Sequence, residues 1–423
     1  MNVGTMTEHG QRVLVTGGAG GIGWAICQAL AEDGARIALA DIDGAAARSR
    51  VDELGPGHVA LQADLIDRDV AAALPGRAAQ ALGGLDVIVN NAGMTDTSGK
   101  PLIELPAAAF DRLVALNLTA VATICAEAPK VLRDGSRIVN LASGASWRPL
   151  ALRGPYSATK AGIVALTKAL AADYRSRGIA VSAVAPGYTL TPLVASLAAE
   201  GLVDLDKVAA AIPMGRLATP EDIAAAVAFA AGPDGRVLSG ETVLVDGGGL
   251  AGPAPEAAGP APGTVSDGVI AALHAPEVLP AGRAGGILAL TDRSEIETAG
   301  PLRALVDFEA LSTQTDPGTT LANIRETAIR AANADRSRDF ALLFVFGEGA
   351  GPGGTSSVAA GRMMAQTIAL EWAPSGLRVN ALEWRGSVTD GIGPLCRFLI
   401  GAGAAHITGQ ALRAGPAPGR GGN

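Results

Sequence analysis

The chain has 423 residues, 48% apolar and 17% charged, so it is longer than one typical domain and has ample apolar material for two cores. Its net charge of −8 has the wrong sign for a surface that binds nucleic acid or an anionic membrane, and we expect neither partner. The polar first twelve residues, the lack of a run of 18 apolar residues and the three widely spaced cysteines predict a cytoplasmic protein without signal peptide, membrane span or disulfide.

Residues 12–250 alternate short apolar runs with alanine-rich helical stretches. The runs predicted as strands are Arg12–Thr16, Arg36–Ala40, His58–Gln62, Asp86–Asn90, Arg137–Leu141, Ala180–Ala185 and Thr242–Asp246. The helical stretches between them include Ile22–Asp33, Ala107–Arg133, Tyr156–Arg177 and Pro220–Ala231. Strands that are apolar throughout are covered on both faces. Their alternation with helices predicts an α/β fold with a Rossmann-type, doubly wound parallel sheet of about seven strands.

A change of composition marks a domain boundary after this region. Residues 251–267 are rich in proline, alanine and glycine and predict a semi-extended linker. The α/β pattern resumes over residues 268–414, which predicts a second, smaller Rossmann-like domain, and residues 415–423 are expected to be a disordered tail. The predicted division is therefore a first domain over residues 1–250, a linker, a second domain and a tail.

The segment Val13–Gly23 reads VLVTGGAGGIG, a strand followed by a glycine-rich turn and the start of a helix. Gly17 permits the tight turn, Gly21 lets backbone amides approach a pyrophosphate, and Gly23 lets the helix pack closely on the strand. The N-terminus of the helix, which includes Ile22, then faces the phosphates with its dipole and free N–H groups. The pattern predicts a dinucleotide-binding turn.

Asp41 ends the second predicted strand, 18 residues after Gly23, where a carboxylate accepts hydrogen bonds from the adenosine ribose hydroxyls. The same carboxylate repels a 2′-phosphate, and no basic residue in the turn or directly after Asp41 offsets it, so we predict NAD rather than NADP. Asp64 and Leu65 follow the third strand and are predicted to lie beside the adenine. A role as a turn residue for Asp41, and as a helix cap for Asp64, remain the alternatives.

The chemistry of alcohol oxidation requires a base for the hydroxyl proton, and a free tyrosine, with a pKa near 10, is a poor one. Lys160 follows Tyr156 at i+4 and so lies on the same helix face. Its positive charge, with that of an oxidised nicotinamide, favours the phenolate. The pair predicts a proton-transfer site.

At this point the first 250 residues resemble a classical short-chain dehydrogenase/reductase. The matching motifs are TGGAGGIG (Thr16–Gly23), NNAG (Asn90–Gly93), LNLT around Asn117, LASG around Ser143, YSATK (Tyr156–Lys160) and PG (Pro186–Gly187). The resemblance implies that Tyr156 is the acid/base and that Lys160 lowers its pKa and binds the nicotinamide ribose. It further implies that Ser143 holds the substrate oxygen and that Asn117 holds a water in a proton relay, although Asn117 as a structural amide is compatible with that role.

The resemblance also implies positions for the remaining cofactor and substrate contacts. The residues that it places beside the cofactor are Asn90, Ala92, Gly93, Pro186, Gly187 and Thr189. The first three are also expected to support the sheet, so much of their role is structural. Residues that line the substrate pocket are Met94, Ala145, Trp147, Arg153 and Tyr188, and the segment Tyr188–Met214 is expected to form a mobile lid over it. Arg153 either meets an anionic substrate group or is a solvated loop charge. A polyol, a cyclic or other secondary alcohol and a 3-hydroxyacyl group all stay compatible.

The second half resembles the first in sequence, which predicts an internal repeat. Residues 165–184 recur with two deletions as residues 365–382, and residues 238–247 (LSGETVLVDG) recur with one deletion as residues 407–415 (ITGQALRAG). The active-site positions are not kept: Tyr156 corresponds to Ser356, Lys160 to Ala360, and Ser143 to Gly347 or Glu348. The strand predicted at Gly286–Thr291 is followed by DRSEIE, without a glycine turn. We interpret this half as a degenerate, catalytically incomplete repeat that mimics a partner subunit, within a homodimer or higher homo-oligomer.

The motifs bear on three candidate functions. An NAD-dependent oxidoreductase acting on a secondary alcohol or ketone is favoured by the complete set of Asn117, Ser143, Tyr156 and Lys160. A non-catalytic dinucleotide-binding scaffold of the same fold is the alternative and suits the second half. An isomerase or epimerase usually needs an extended nucleotide-sugar domain that residues 268–414 do not resemble. The four histidines show no metal-ligand spacing and read as surface or loop residues, so no metal is predicted.

Overall fold

A computed structural model describes residues 10–199, 201, 203–252, 269–273, 287–290, 295–296, 301–308, 317–348, 351–385 and 392–416. Almost all of the predicted linker (251–267) and tail (415–423), and most of the first twelve residues, lie outside the described residues, so those predictions stand as made. Residues 10–252 are called the first unit below, and the described residues from 269 to 416 the second unit.

The first unit is built on a parallel sheet of seven strands, in the order β3-β2-β1-β4-β5-β6-β7. The strands are β1 Arg12–Thr16, β2 Arg36–Asp41, β3 Val59–Gln62, β4 Leu85–Asn90, β5 Leu132–Leu141, β6 Ala180–Pro186 and β7 Thr242–Val245. The order of the strands reverses between β1 and β4: β2 and β3 follow β1 outward on one side, and β5 to β7 follow β4 outward on the other. This confirms the predicted Rossmann-type fold, and it brings the ends of β1, β2, β4, β5 and β6 to one edge.

Helices cover both faces of this sheet. They are α1 Gly21–Glu32, α2 Gly44–Leu54, α3 Arg68–Leu82, α4 Ala107–Val114, α5 Ala120–Glu127, α6 Tyr156–Asp173, α7 Pro192–Ala199, α8 Leu205–Ala210 and α9 Pro220–Ala231. One buried cluster joins β1 and β2 to α1 and α9, and a second joins the opposite face to α3, α5 and α6. The buried residues that the first unit contributes to these clusters are Ala, Val, Leu, Ile and Cys, as the low aromatic content leads one to expect.

The helix predicted over Ala107–Arg133 is shorter and is interrupted. A π-helical turn, Ala115–Thr119, separates α4 from α5, and a 3-10 turn ends the helical stretch at Lys130. Strand β5 then begins at Leu132, five residues before the predicted start, because the buried Leu132 pairs with Leu85 on β4 ahead of an irregularity in the register. The other differences at element ends are of a few residues.

The same stretch, Ala107–Lys130, is the one helical segment among the described residues that is long and apolar enough to cross a membrane, with a mean hydropathy of 1.4 over its most apolar window. The sequence-based expectation of no such segment was therefore too strict. Here α5 packs against α3 on the sheet, and one third of that window is buried in the protein. It is a covering helix of the α/β fold.

The described residues of the second unit form a six-stranded parallel sheet in the order β13-β12-β11-β10-β8-β9. Its elements are β8 Val269–Leu273, β9 Ile287–Leu290, β10 Leu302–Asp307, α10 Pro317–Asn333, β11 Arg336–Phe346, α11 Gly351–Trp372, β12 Arg378–Trp384, α12 Ile392–Ile400 and β13 Ala411–Ala414. This order parallels β7-β6-β5-β4-β1-β2 of the first unit. By position β8 therefore corresponds to β1, and the strand predicted at Gly286–Thr291 corresponds to β2. The counterpart of the glycine turn would follow β8, in residues outside the described ones.

The two units share one buried apolar cluster. It joins α9 and the 3-10 turn Pro233–Leu238 of the first unit to α12, β13 and Ile407 of the second. Polar contacts flank it: Arg385 pairs with Glu241 at 2.5 Å, and the Leu244 N–H donates to Gln410 Oε1 at 3.1 Å. Burial of apolar surface therefore holds the second unit against the α9 and β7 side of the first.

Candidate active site

The glycine turn after β1 has the conformation that the motif predicts. Gly17 and Gly21 have φ of +65° and +54°, the left-handed region that glycine adopts without strain. A Cβ atom on Gly17 would lie 2.9 Å from the Cα of Ala92, and a Cβ on Gly23 would collide with the carbonyl oxygen of Gly17. The turn is therefore tight against both the next strand end and its own helix, with no room for a side chain at Gly17 or Gly23.

Two residues that the sequence analysis gave no role hold this turn in place. The side-chain amide of Asn91 donates to the carbonyl oxygens of Thr16 and Gly17, each at 3.0 Å. The hydroxyl of Thr16 accepts the N–H groups of Asn91 and Ala92 at 3.0 and 3.1 Å. Thr16 begins the TGGAGGIG motif and Asn91 lies in the NNAG motif. The motifs therefore contained this structural role, but the sequence was interpreted for cofactor contacts only.

The N-terminus of α1 differs from those of the neighbouring helices. Asp43 caps α2, Asp67 caps α3 and Thr219 caps α9 through side-chain oxygens, whereas Gly20 before α1 has no side chain and the first turn holds no acidic residue. The first N–H groups of a helix need an acceptor. Uncapped amides at the positive end of the helix dipole, beside a turn that excludes side chains, fit the pyrophosphate of a dinucleotide.

Asp41 lies at the carboxyl end of β2, beside the turn. Its Oδ2 accepts the N–H of Ala19 at 3.0 Å and its Oδ1 accepts the N–H of Asp43 at 3.1 Å. The turn role and the ribose role are thus compatible, because each carboxylate oxygen can accept a further bond. Asp64 is exposed and accepts the Ile66 N–H at 3.0 Å, and Leu65 is buried, while the cap of α3 is Asp67.

Asn90, predicted beside the cofactor, has its side chain inside the protein. It is 2% exposed, and its amide donates to Asn140 Oδ1 at 2.8 Å, whose own amide donates to Thr167 at 3.0 Å. This buried chain ties β4, β5 and α6 together. The structure therefore brings Ala92 and Gly93 to the edge of the sheet, while the Asn90 side chain supports the sheet from within.

Tyr156, Ser143 and Lys160 converge at the ends of β5 and α6. Ser143 follows β5 and Tyr156 begins α6, and the Ser143 hydroxyl lies near enough to the Tyr156 hydroxyl to lower the pKa of the phenol. The Lys160 Nζ lies 5.8 Å from the centre of the Tyr156 ring and donates to the Leu141 carbonyl oxygen at 2.8 Å. The predicted trio thus forms one cluster.

Burial controls the acidity of both ionisable groups. It raises the pKa of Tyr156, against the smaller opposite effect of the Ser143 hydroxyl, and it lowers the pKa of Lys160 to about 8. The sequence analysis expected a lowered pKa for Tyr156, and in the protein without dinucleotide the direction is the reverse. Desolvation of the phenol is the largest effect on the pKa of Tyr156.

Asn117 stands in the π-helical turn between α4 and α5 and is 1% exposed. Its side chain binds both backbone polar groups of Met94, accepting from the N–H and donating to the carbonyl oxygen at 2.8 Å each. A Cβ on Gly93 would lie 3.3 Å from Asn117 Oδ1 and 3.5 Å from Lys160 Nζ, so the absence of a side chain there brings the two close. A π turn inserts one residue and re-aims a side chain, as is frequent at functional sites.

The residues after β6 lie across from this cluster. The Gly187 N–H donates to the Val245 carbonyl at 2.9 Å, and a Cβ on Gly187 would lie 2.7 Å from the Cβ of Asp246. Thr189 is 7% exposed and donates to the Gly187 carbonyl at 3.2 Å. Pro186 and Gly187 are therefore held at the same sheet edge as the other cofactor residues.

The predicted pocket residues are mostly exposed aromatic or apolar side chains near this edge. Trp147 and Tyr188 are about half exposed, Met94 is 36% exposed and Ala145 is buried. Arg153 donates to the Asp96 carbonyl at 3.2 Å. One of its donors therefore has a structural partner, and the surface around the site is largely apolar.

The corresponding edge of the second unit lacks this chemistry. The register of β11 against β12 matches that of β5 against β6, which places Gly347 at the position of Ser143. Ser356 and Ala360 on α11 stand where Tyr156 and Lys160 stand on α6. The described part of the second unit therefore holds no counterpart of the proton-transfer cluster.

Comparison with known proteins places the first unit in a large group. Residues 17–249 match the protein family described as Enoyl-(Acyl carrier protein) reductase. The cis-4-hydroxycyclohexanecarboxylate dehydrogenase of Sinomonas cyclohexanicum is 42% identical over 242 residues, which cover 56% of this chain and 94% of that protein. The sorbitol dehydrogenase of Cereibacter sphaeroides is 36% identical over 259 residues, 57% of this chain and 98% of that protein. The uncharacterized short-chain type dehydrogenase/reductase y4vI of Sinorhizobium fredii is 36% identical over 241 residues, 57% of this chain but 44% of that protein.

Solved structures match the same part of the chain. A putative short-chain alcohol dehydrogenase from Sinorhizobium meliloti 1021 superposes with a TM-score of 0.54 at 32% identity, covering 58% of this chain and 98% of that one. A short chain dehydrogenase from Burkholderia cenocepacia in complex with NADP has a TM-score of 0.52 at 34% identity, over 57% of this chain and 98% of that one. A 3-ketoacyl-(acyl-carrier-protein) reductase from Brucella melitensis complexed with NADH has a TM-score of 0.52 at 31% identity, with the same coverages.

Proposed function

Since the chain belongs to the short-chain dehydrogenase/reductase family, we propose that its first unit is an NAD(H)-dependent oxidoreductase that interconverts a secondary alcohol and its ketone. Membership makes it an oxidoreductase of this family with a nicotinamide dinucleotide cofactor, and both NADP and NADH occur in the solved relatives. The observation that carries the proposal is the cluster of Tyr156, Ser143 and Lys160 at the same sheet edge as the uncapped N-terminus of α1.

In this proposal the side chains of Ser143, Tyr156 and Lys160 carry out the transfer of the proton to or from the substrate oxygen. The dinucleotide, when bound, accepts or supplies the hydride. Ser143 holds the substrate oxygen through its hydroxyl, which lies near the Tyr156 hydroxyl. With its pKa raised by burial, Tyr156 is protonated at neutral pH and can donate to the oxygen of a ketone. In the oxidation direction the phenolate form of Tyr156 takes the hydroxyl proton of the alcohol, and the positive charge of Lys160 favours that phenolate.

Asp41 supports NAD as the cofactor. A 2′-phosphate on the adenosine ribose would approach this carboxylate, and like charges brought together cost several kcal/mol. Ala19 and Asp43 donate to Asp41 through the backbone and bring no positive charge. NAD, which carries a free 2′-hydroxyl, is the dinucleotide that these groups suit.

The proposed substrate is a small secondary alcohol or its ketone, a class that includes cyclic alcohols, polyols and 3-hydroxyacyl groups. Half-exposed Trp147 and Tyr188 surround the predicted pocket, and Arg153 already donates to a backbone carbonyl. Relatives named as acting on a hydroxycyclohexanecarboxylate and on sorbitol support this range.

A non-catalytic dinucleotide-binding scaffold is the competing function, and one assay separates the two. Full-length protein is incubated with NAD or NADP and a panel of cyclic alcohols, polyols and 3-hydroxyacyl thioesters, and reduced dinucleotide is followed by its absorbance. Turnover with NAD supports the oxidoreductase. Tight dinucleotide binding without turnover of any panel member, or of the corresponding ketones with NADH, would favour the scaffold.

We further propose that the second unit is a degenerate repeat of the first that takes the place of a partner subunit. The contacts between the units are reciprocal: the Gly247 N–H donates to the His406 carbonyl at 3.1 Å, and the Gly415 N–H donates to the Val237 carbonyl at 3.4 Å. In the repeat, Gly247 corresponds to Gly415 and Val237 to His406. Contacts in which residue i meets j and the counterpart of j meets that of i are typical of a two-fold dimer.

A cleavable full-length chain tests this proposal. A protease site is inserted into the predicted linker, and the cut protein is passed over a sizing column. We expect the two pieces to elute together and the uncut chain to sediment as a homodimer or larger, because the Ala107–Lys130 helix leaves much of its apolar surface uncovered. Separation of the pieces after cleavage would contradict the partner role, and a monomeric uncut chain would contradict the homo-oligomer.

A further inference from the structure

The lid segment, Tyr188–Met214, leaves the sheet after β6 and returns just before α9. Its two ends are tied together, because the Leu190 N–H donates to the Ala218 carbonyl at 2.8 Å and the Ala218 N–H donates to the Tyr188 carbonyl at 2.9 Å. Helices α7 and α8 lie between these ends. The position of the returning limb therefore decides where the segment sits over the predicted pocket.

Two glycines after β7 hold that returning limb. The Met214 N–H donates to the Gly247 carbonyl at 3.1 Å. A Cβ on Gly247 would lie 2.7 Å from Ile212 Cγ2, and one on Gly248 would lie 3.3 Å from Pro213 Cβ. Both glycines have positive φ, +63° and +88°, so the chain there turns in a way that other residues adopt only under strain.

The other side of the same two glycines is formed by the second unit. The Gly247 N–H donates to the His406 carbonyl at 3.1 Å. A Cβ on Gly247 would lie 2.6 Å from the His406 ring, and one on Gly248 would lie 3.3 Å from Thr408 Cγ2. One residue, Gly247, thus bonds the second unit through its N–H and the lid segment through its carbonyl.

The His406 ring packs against Gly247 without forming a hydrogen bond to a described residue through either ring nitrogen. His406 lies in a loop, one of the two positions expected for the histidines, but it is only 1% exposed, and within the described part of the chain neither ring nitrogen has a hydrogen-bond partner. Burial, with a smaller effect of Arg216, lowers the pKa of His406 to about 4 against the opposite effect of Asp222, so the ring is neutral at pH 7. Arg216 and Asp222 pair at 2.7 Å at the end of the returning limb.

We propose that the second unit positions the lid segment of the active site through His406, a positioning residue that acts on Gly247 and Ile212–Met214. The inference rests on the proposed function of the first unit and gives the second unit a role in substrate binding as well as in assembly. A limb held in place before the substrate arrives needs less ordering when it closes, and that ordering would otherwise reduce affinity.

The test compares three full-length variants. His406→Ala opens the contact, His406→Gln keeps a planar polar side chain there, and Phe398→Ala truncates the same interface away from the glycines. We expect His406→Ala to raise KM about tenfold with kcat within about twofold, and His406→Gln to restore most of it. Phe398→Ala should leave KM unchanged. Should His406→Ala fail to fold, Ile212→Ala opens the contact from the other side and should raise KM similarly.

Hydrogen exchange of the dinucleotide-free protein supplies a readout independent of activity. We expect faster exchange in the lid segment for His406→Ala and not for Phe398→Ala. Unchanged exchange there, or unchanged KM in an active enzyme, would overturn the inference. If the wild-type protein turns over no panel substrate, the proposed function fails separately, and exchange alone then decides whether His406 holds the limb.

Discussion

The rings of Phe229 and Phe398 are stacked, with centroids 4.2 Å apart and planes inclined by 12°. Phe229 precedes Leu238 by nine residues and Phe398 precedes Ile407 by nine, so the two are counterparts in the repeat. A residue that meets its own counterpart lies on the two-fold axis of a dimer. This contact supports the proposal that the two units meet about a pseudo-two-fold axis, which would pass between these rings.

Truncating this pair should reveal a direct coupling. Stacked aromatic pairs contribute about 1 kcal/mol beyond their buried area, so the cycle of Phe229→Ala, Phe398→Ala and the double variant should give a coupling energy of about that size. Urea unfolding of the full-length proteins measures it. A cycle that combines Phe398→Ala with Phe110→Ala, on α4, should be additive. Additivity in the Phe229 cycle as well would mean that the stack contributes nothing.

Tyr156→Phe should reduce turnover by about a thousandfold while dinucleotide affinity stays within about threefold, because it removes only the proton-transfer hydroxyl. Steady-state kinetics and a dinucleotide titration measure the two effects. Tyr174→Phe is the matched control: its hydroxyl donates to the Cys125 carbonyl at 2.9 Å, away from the cluster, and turnover should persist. Turnover of Tyr156→Phe at the wild-type rate would remove Tyr156 from the mechanism.

Asp41→Asn should shift the preference toward NADP by tenfold or more in kcat/KM, since it removes the charge that repels a 2′-phosphate. The amide oxygen still accepts the Ala19 N–H, so the turn should keep its conformation. Asp52→Asn, on the exposed face of α2, makes the same change of net charge and should leave the preference as it is. An unaltered NAD to NADP ratio in Asp41→Asn would assign selectivity to other residues.

Lys160 should make the stability of the dinucleotide-free protein depend on pH. Its pKa is about 8 in the folded protein and 10.5 as the ordinary value, so between these the unfolded chain binds the extra proton and stability rises with pH. Relative to Lys160→Met, the wild-type protein should gain about 3 kcal/mol across this window.

Urea unfolding of both proteins from pH 7.5 to 10.5 measures the difference between them. A difference that stays flat, or that falls with pH, would mean that Lys160 is not buried as a costly charge. The same series on Lys168→Met, a lysine of α6 eight residues further along, should show no such change.

Much of the candidate active site in the first unit was predictable, because the sequence patterns that indicate it are local. Tyr156 and Lys160 are one helical turn apart, and Gly17 and Gly21 have the positive φ that favours glycine at those positions of the turn. Asn117 was placed on a helix, but the π turn that aims it at Met94 has no local signature, because its inserted residue is accommodated by packing. Asn90 illustrates the converse: the motif was recognised, yet only the sheet shows that its amide binds Asn140.

The sequence by itself determined the family and the fold of the first unit, and it placed the proposed proton-transfer residues, since these follow from spacings within single strands, turns and helices. Only the tertiary structure decided that Phe229 meets Phe398, that His406 is buried against Gly247, and that β8 rather than the following strand corresponds to β1. Those contacts join residues far apart in the chain. They form because two apolar surfaces cover each other, and no local pattern of residues specifies which surfaces meet.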